Sequence, residues 1–353
     1  MTEPRESVKS EALVLGEKTF EPGQSGTVEF TVDHLTNHQP LTMEVHVFRG
    51  QQPGPCLLVS AGIHGNEICG VKVARLLLEI EALKHLQGDL IIVPVVNGPA
   101  YIAWSRYLLD KCDLNRLFPG SPIGSSGERL ASLFVEEVIR HCTHAVDMHS
   151  GIVNRPNLPQ VRISPEDEVA LEMAHAFNVP VVVKSTVRDG SLRQSLLMNN
   201  KPALLYEAGE ANRLDRASVR YGVHGVLSLM RSLSMLPMEN TSDATPCSPA
   251  VVISDTYWER APLSGMFVPV TELGQGVELG AVIGIVADPF GSKEYKVIAR
   301  RNGVIIGCLR DGAVDKGDAL FHIGLTDDPV EAEARIQEIS RVVKAFPEEG
   351  LMN

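Results

Sequence analysis

From Cys56 onward the chain alternates short Val, Ile and Leu runs with stretches of helical period, and that rhythm restricts it to an α/β architecture. Strands are expected at 56–60, 89–96, 144–148, 160–163, 180–184 and 203–206. Helices are expected at 67–84, 127–141, 166–177 and 214–235. Continuous apolar runs are strands buried on both faces, so the expected fold is a mixed central sheet flanked by helices. Upstream, Val28-Glu29-Phe30-Thr31-Val32 and Met43-Glu44-Val45-His46-Val47 alternate apolar and polar residues, the period of half-buried strands. Residues 1–50 are therefore read as N-terminal strands forming an edge pair.

The chain has 353 residues, more than one ordinary domain, and two domains are expected. Leu236 to Pro249 is polar and proline-rich without any period, which marks a linker after an α/β unit spanning 51–236. Beyond it, Pro262-Leu263-Ser264-Gly265-Met266-Phe267, Gly280-Ala281-Val282-Ile283-Gly284-Ile285 and Asn302-Gly303-Val304-Ile305-Ile306-Gly307 are short strands punctuated by glycine. They predict a smaller C-terminal β domain over 250–327, and their phrasing is similar to a lipoyl- or biotinyl-like barrel. Lys293 is the nearest candidate for a carrier lysine, but it lacks the flanking methionine such a barrel carries. The unit is read as a wall of the active site or an assembly surface. Residues 328–353 are read as a closing helix and tail.

A net charge of −12 with 22% charged residues argues against a nucleic-acid or anionic-membrane partner, both of which require a basic face. No apolar run is long enough to span a bilayer, and Met1 to Phe20 has no continuous apolar core of a leader peptide. A cytoplasmic location is expected. The six cysteines are scattered without a C-x-x-C pair, which argues against a zinc ribbon or a disulfide framework and points to reduced, mostly packed thiols. His141, His144, His175 and His224 have no useful partner spacing and are read as packing or surface residues.

His64-Gly-Asn-Glu67 lies where the run Cys56 to Ser60 ends and a helical pattern begins, so His64 and Glu67 can converge on one ion. Gly62 and Gly65 let the backbone bend there. Asp147-Met-His149 closes a second apolar run, placing His149 at the end of another strand, the edge where open α/β sheets bind ligands. Two imidazoles and one carboxylate make the ligand count of a catalytic zinc with an open position. Asp147, two before His149, either orients that histidine or is simply buried. Glu207 ends the apolar strand Ala203-Leu204-Leu205-Tyr206 and is read as the general base, with Glu210 as its local competitor.

The order of these segments, with Asp113-Leu114-Asn115-Arg116 and Glu207-Ala208-Gly209, resembles the succinylglutamate desuccinylase and aspartoacylase family of the zinc carboxypeptidase-like superfamily. The resemblance covers roughly residues 50 to 330. It implies one zinc per chain on His64, Glu67 and His149, with Glu207 as the general base. It implies that Asn115 and Arg116 grip the α-carboxylate of an acylated amino acid. Arg106 resembles the arginine that polarises the scissile carbonyl, although its spacing to Asn115 is longer than in aspartoacylases proper. Arg193 resembles an arginine that recognises the substrate side chain. The implied activity is hydrolysis of an N-acyl amino acid, a small-molecule substrate; whether the chain forms a homo-oligomer is left open. A metallocarboxypeptidase acting on peptides, or a binding protein with a decayed site, are the alternatives.

Overall fold

The computed structural model describes residues 12–34, 37–238 and 249–345. One thirteen-stranded mixed sheet organises the chain. Along it lie Ser25–His34, Pro40–Arg49, Asp89–Val93, Cys56–Ser60, His144–Gly151, Ala203–Glu210, Asn157–Ile163, Gly303–Cys308, Ala319–Leu325 and Thr256–Arg260. The middle strands, Asp89–Val93 through Ala203–Glu210, are parallel to one another, and antiparallel strands flank them on both sides. Every residue of Cys56–Ser60 is buried. Alternation explains this: Leu57 and Val59 join one core with Val73, Phe177, Tyr206 and Val226, while Cys56 and Leu58 join another with Phe134, Leu192 and Leu196. Helices Ile68–Leu78, Glu168–Phe177 and Arg216–Ser232 supply the first layer; Ser126–Glu137 and Leu192–Met198 supply the second.

The helix expected over 67–84 stops at Leu78, and a 3-10 turn, Glu81–His85, follows extended Ile80. That break lets Leu83, 2% exposed, drop into the core. The helix expected over 127–141 likewise ends at Glu137 and gives way to a 3-10 turn. Helices Gly98–Ile102 and Leu192–Met198 and the turn Leu114–Arg116 are absent from the sequence-based expectation. Each is too short for a helical period to emerge, and only its cap residue, Asn97, Ser191 or Asp113, announces it.

A C-terminal β unit is present. Glu294–Ile298, Val282–Ala287, Gly265–Pro269 and Gly312–Val314 form a four-stranded antiparallel sheet. Its core holds Phe267 edge-on to Phe321 at 5.5 Å between ring centroids. The neighbouring strands Gly303–Cys308, Ala319–Leu325 and Thr256–Arg260 extend the large sheet, joining it where Gly307 pairs with Asn157. Helix Pro329–Lys344 then packs back onto Arg216–Ser232, with the Tyr221 hydroxyl donating to Ser340 Oγ at 3.0 Å. Most of the linker stretch, with Cys247, falls at 239–248 and lies outside the described residues, as does the C-terminal tail. The other five cysteines are free thiols. Among the described residues no helix is long and apolar enough to cross a membrane.

Candidate metal centre and its cavity

Strand Cys56–Ser60 delivers the chain into the turn that carries His64, and Glu67 is the residue before the helix Ile68–Leu78. Glu67 makes no side-chain cap to that helix. Its carboxylate instead bridges two imidazoles, with Oε1 2.6 Å from His64 Nδ1 and Oε2 2.8 Å from His149 Nδ1, and it accepts a 3.0 Å bond from the Ser150 amide. The ligand atoms of His64, Glu67 and His149 all lie within 4.8 Å of one another, and all three residues are buried. Burial pushes the Glu67 carboxyl up, but the charges of His64 and His149 outweigh it and hold the group well below the usual carboxylate range.

The far nitrogens of both imidazoles are held by carboxylates. His149 Nε2 is 2.8 Å from Asp147 Oδ2, and Ser60 Oγ donates to Asp147 Oδ1 at 2.9 Å. His64 Nε2 is 3.0 Å from Asp113 Oδ1. Of the two roles open to Asp147, the geometry therefore favours orienting the histidine over mere burial. Carboxylates behind both rings leave both Nδ1 atoms facing the shared centre, as in carboxylate–histidine–metal arrangements. Two nitrogens, one oxygen and an open side fit a divalent zinc.

Asp113 is the residue that the sequence reading missed in a segment it had already singled out. It binds His64 through Oδ1, accepts from Arg106 Nη2 through Oδ2 at 3.0 Å, and caps the turn Leu114–Arg116 through the Asn115 amide at 2.9 Å. One carboxylate thus ties the metal group to the arginines. Arg106 also donates to Glu67 Oε1 at 3.3 Å. Asn115 is buried, and its Oδ1 accepts from the Leu192 amide at 2.8 Å, anchoring the turn to the start of helix Leu192–Met198.

His64, Glu67, His149, Arg106, Asn115, Arg116, Arg193 and Glu207 all line one cavity of about 750 Å³. Glu207 stands opposite His149 in the parallel register of adjacent strands. Arg193 is buried; its Nη2 donates to the Ser185 and Thr186 carbonyls, while Nη1 has no partner. Burial, then the neighbouring Arg162, lowers its pKa to about 10. Glu210 sits on the other side of the bulge in the same strand, paired with Arg310 at 2.7 Å and Arg213 at 3.0 Å, and it lines a different cavity.

Sequence reasoning gave no hint of Arg155, Arg162, Trp258 and His322, which also line the cavity. Trp258 and His322, from two strands of the C-terminal unit, stack face to face at 4.3 Å, and the Arg155 guanidinium lies 5.3 Å from the Trp258 ring. Burial, with Arg162 and Arg155 nearby, lowers the His322 pKa to about 3, so its ring is neutral near pH 7. An arginine and a tryptophan without local motif carry no signal in a single sequence.

The turn that carries His64 has no slack. A Cβ built on Gly65 would lie 1.9 Å from the Ala100 carbonyl carbon and 2.0 Å from the Tyr101 nitrogen. Gly65→Ala is therefore expected to lower stability by about 3 kcal/mol and to displace His64. Denaturant midpoints and bound metal, measured together, check this; an alanine variant as stable and as metal-loaded as the parent contradicts the close approach.

Comparison with known proteins places this geometry. The succinylglutamate desuccinylase/aspartoacylase catalytic domain model matches residues 53–233. The N-alpha-acetyl-L-2,4-diaminobutyric acid deacetylase of Halomonas elongata is 27% identical over 286 residues, covering 78% of this chain and 82% of the relative. The succinylglutamate desuccinylase of Pseudomonas paraeruginosa is 27% identical over 175 residues, about half of each chain at 47% and 49%. In fold, the chain is similar to the ectoine utilization protein EutE (DoeB) of Ruegeria pomeroyi with product bound (TM-score 0.75, 24% identity, 86% of this chain and 95% of that one). It is also similar to a succinylglutamate desuccinylase/aspartoacylase of Rhodobacter sphaeroides (TM-score 0.74, 23% identity, 86% and 96%). With the catalytic-domain model spanning more than half of its length, and its acids, imidazoles and arginines gathered in one cavity, this chain belongs to the succinylglutamate desuccinylase/aspartoacylase family.

Proposed function

We propose that this protein is a zinc-dependent deacylase that hydrolyses the amide of an N-acyl amino acid to a carboxylate and a free amino acid. The observation that carries the reading is the convergence of the His64–Glu67–His149 group, Glu207 and the Arg106–Asn115–Arg116 segment on one cavity. His64, Glu67 and His149 would hold a zinc ion, which would supply Lewis acidity and lower the pKa of water at the site. Glu207 takes a proton from the attacking water and returns it to the nitrogen as the C–N bond breaks. Arg106, beside the metal ligands, donates to the carbonyl oxygen as that atom gains charge. Asn115 and Arg116 hold the α-carboxylate and so fix the amide over the site. Glu210, committed to Arg310 and Arg213 and facing another cavity, is poorly placed for the proton transfer.

The lining also bears on the substrate. Six arginines (Arg106, Arg116, Arg155, Arg162, Arg188 and Arg193) face three acids (Glu67, Asp189 and Glu207) in a chain whose net charge is −12. Such a local excess of cations favours acylated acidic amino acids over acylated diamino acids. A panel of N-acyl amino acids and dipeptides, assayed with the zinc-loaded protein, tests the reading. Turnover of acylated acidic amino acids above dipeptides is expected, and a preference for dipeptides supports the carboxypeptidase alternative.

Arg116→Ala is expected to lower kcat/KM by about 2–4 kcal/mol on substrates with a free α-carboxylate, and Arg116→Lys to restore little of it. Lysine keeps the charge but replaces a two-bond fork with one contact. Amidating the α-carboxylate of the substrate should cost the parent enzyme heavily and the alanine variant little more. If both enzymes lose equally, Arg116 does not touch that group.

A further inference from the structure

We propose that Asn157 is a positioning residue for Glu207, and that Gly307, on a strand of the C-terminal β unit, fixes where the Asn157 amide stands. The inference rests on the reading of Glu207 as the proton carrier. Asn157 begins the strand Asn157–Ile163, is buried at 8% exposure, and lies beside the bulge that follows Glu207. Its Nδ2 donates to Glu207 Oε2 at 2.5 Å, and Arg162 Nη2 donates to the same oxygen at 3.3 Å. No hydrogen bond among the described residues holds Oε1. The carboxylate is therefore gripped by one oxygen and free at the other, which is the division of labour that a proton carrier requires. Of the two donors, Asn157 makes the shorter bond and is the more deeply buried, so it sets the position.

Gly307 faces Asn157 at the single register pair that joins the C-terminal strands to the Asn157–Ile163 strand. A Cβ built there would lie 2.8 Å from Asn157 Oδ1 and 3.2 Å from His322 Cβ. Gly307 is not among the glycines of positive φ, so the backbone conformation does not demand glycine at this place. The demand is spatial: any side chain at 307 pushes the amide oxygen, and with it the nitrogen that holds Glu207. The amide is further confined because the Cys308 amide donates to the Pro156 carbonyl at 3.2 Å, fixing the two strands against each other. Through this contact the C-terminal unit acts on the reaction by setting the geometry of a carboxylate in the neighbouring unit.

The test is a mutant cycle in the zinc-loaded, full-length protein, with kcat and KM measured on an N-acyl amino acid that the parent turns over. Asn157→Ala is expected to lower kcat about 10- to 100-fold with KM changed by less than about threefold, because a misplaced reacting group costs turnover more than binding. Asn157→Asp, equal in size and lacking the donor, serves if the alanine variant fails to fold, and it should lose at least as much. In an E207Q background the same changes should cost less than about twofold, since the loss passes through Glu207. Gly307→Ala should lower kcat in the parent and cost less than about twofold more in the Asn157→Ala background. Near-parental kcat in both Asn157 variants, or Asn157 and Glu207 losses that multiply, overturns the positioning role. A Gly307→Ala loss that persists undiminished without Asn157 overturns the link to the C-terminal strand. Near-parental turnover by E207Q alone instead removes the premise, the role of Glu207 itself.

Discussion

Glu207→Gln is expected to lower kcat by roughly two to four orders of magnitude while bound zinc and thermal stability stay close to those of the parent. The structure makes this substitution unusually clean. Asn157 Nδ2 and Arg162 Nη2 both donate to Oε2, so a glutamine can place its carbonyl oxygen there and keep both bonds. Its amide nitrogen then occupies the position of Oε1, where it can neither accept a proton nor hold one for the leaving nitrogen. Glu207 is absent from the His64–Glu67–His149 group, which is why the metal should remain. Glu210→Gln provides the contrast. It weakens a buried carboxylate paired with Arg310 and Arg213, so it should lower the melting temperature and leave the turnover of the folded fraction largely intact. Metal analysis, melting curves and kcat for both variants distinguish the two acids. If the two phenotypes are exchanged, the proton carrier is Glu210.

His64→Ala and His149→Ala are each expected to reduce bound zinc from about one per chain to a small fraction, and to abolish measurable turnover. Each leaves two protein donors, too few to hold the ion, and each also strips a partner from buried acids. Without His64, Asp113 keeps only Arg106 and the Asn115 amide, and Glu67 loses one of its two imidazoles. Without His149, Asp147 keeps only Ser60 among the side-chain contacts described. Both variants should therefore be less stable than the parent as well as metal-poor. His175→Ala, at an exposed position on helix Glu168–Phe177, is the control and should retain metal and activity. Elemental analysis after gel filtration decides the matter. Undiminished zinc in both site variants means that the ion is held elsewhere.

Much of the candidate site was legible in the sequence. The turn from the strand Cys56–Ser60 into the helix Ile68–Leu78 fixes the separation of His64 and Glu67, and His149 lies near the end of its strand, which runs on to Gly151. These are local consequences of apolar period and turn chemistry, and a single sequence carries them. The same holds for the α/β rhythm; Glu207 follows an apolar run as expected, although its strand continues to Glu210. Short helices escaped because seven residues or fewer do not establish a period, so Leu192–Met198, which anchors Asn115, was invisible except for its serine cap.

What the sequence by itself determined was thus which acids, imidazoles and arginines are candidates for the one cavity in which the fold gathers them. Only the tertiary structure decided which groups support and surround them. Asp113 joins His64 to Arg106, and Asn157 grips Glu207 from a strand fifty residues away along the chain. Trp258 and His322 arrive from strands of the C-terminal unit, which continues the central sheet at the Gly307–Asn157 pair. The physical reason is that strand order and sheet junctions are set by long-range pairing and the burial of both sheet faces, and neither leaves a trace in local periodicity. A buried polar group must also find its partner wherever the fold places one, and that partner is named by space and not by sequence distance.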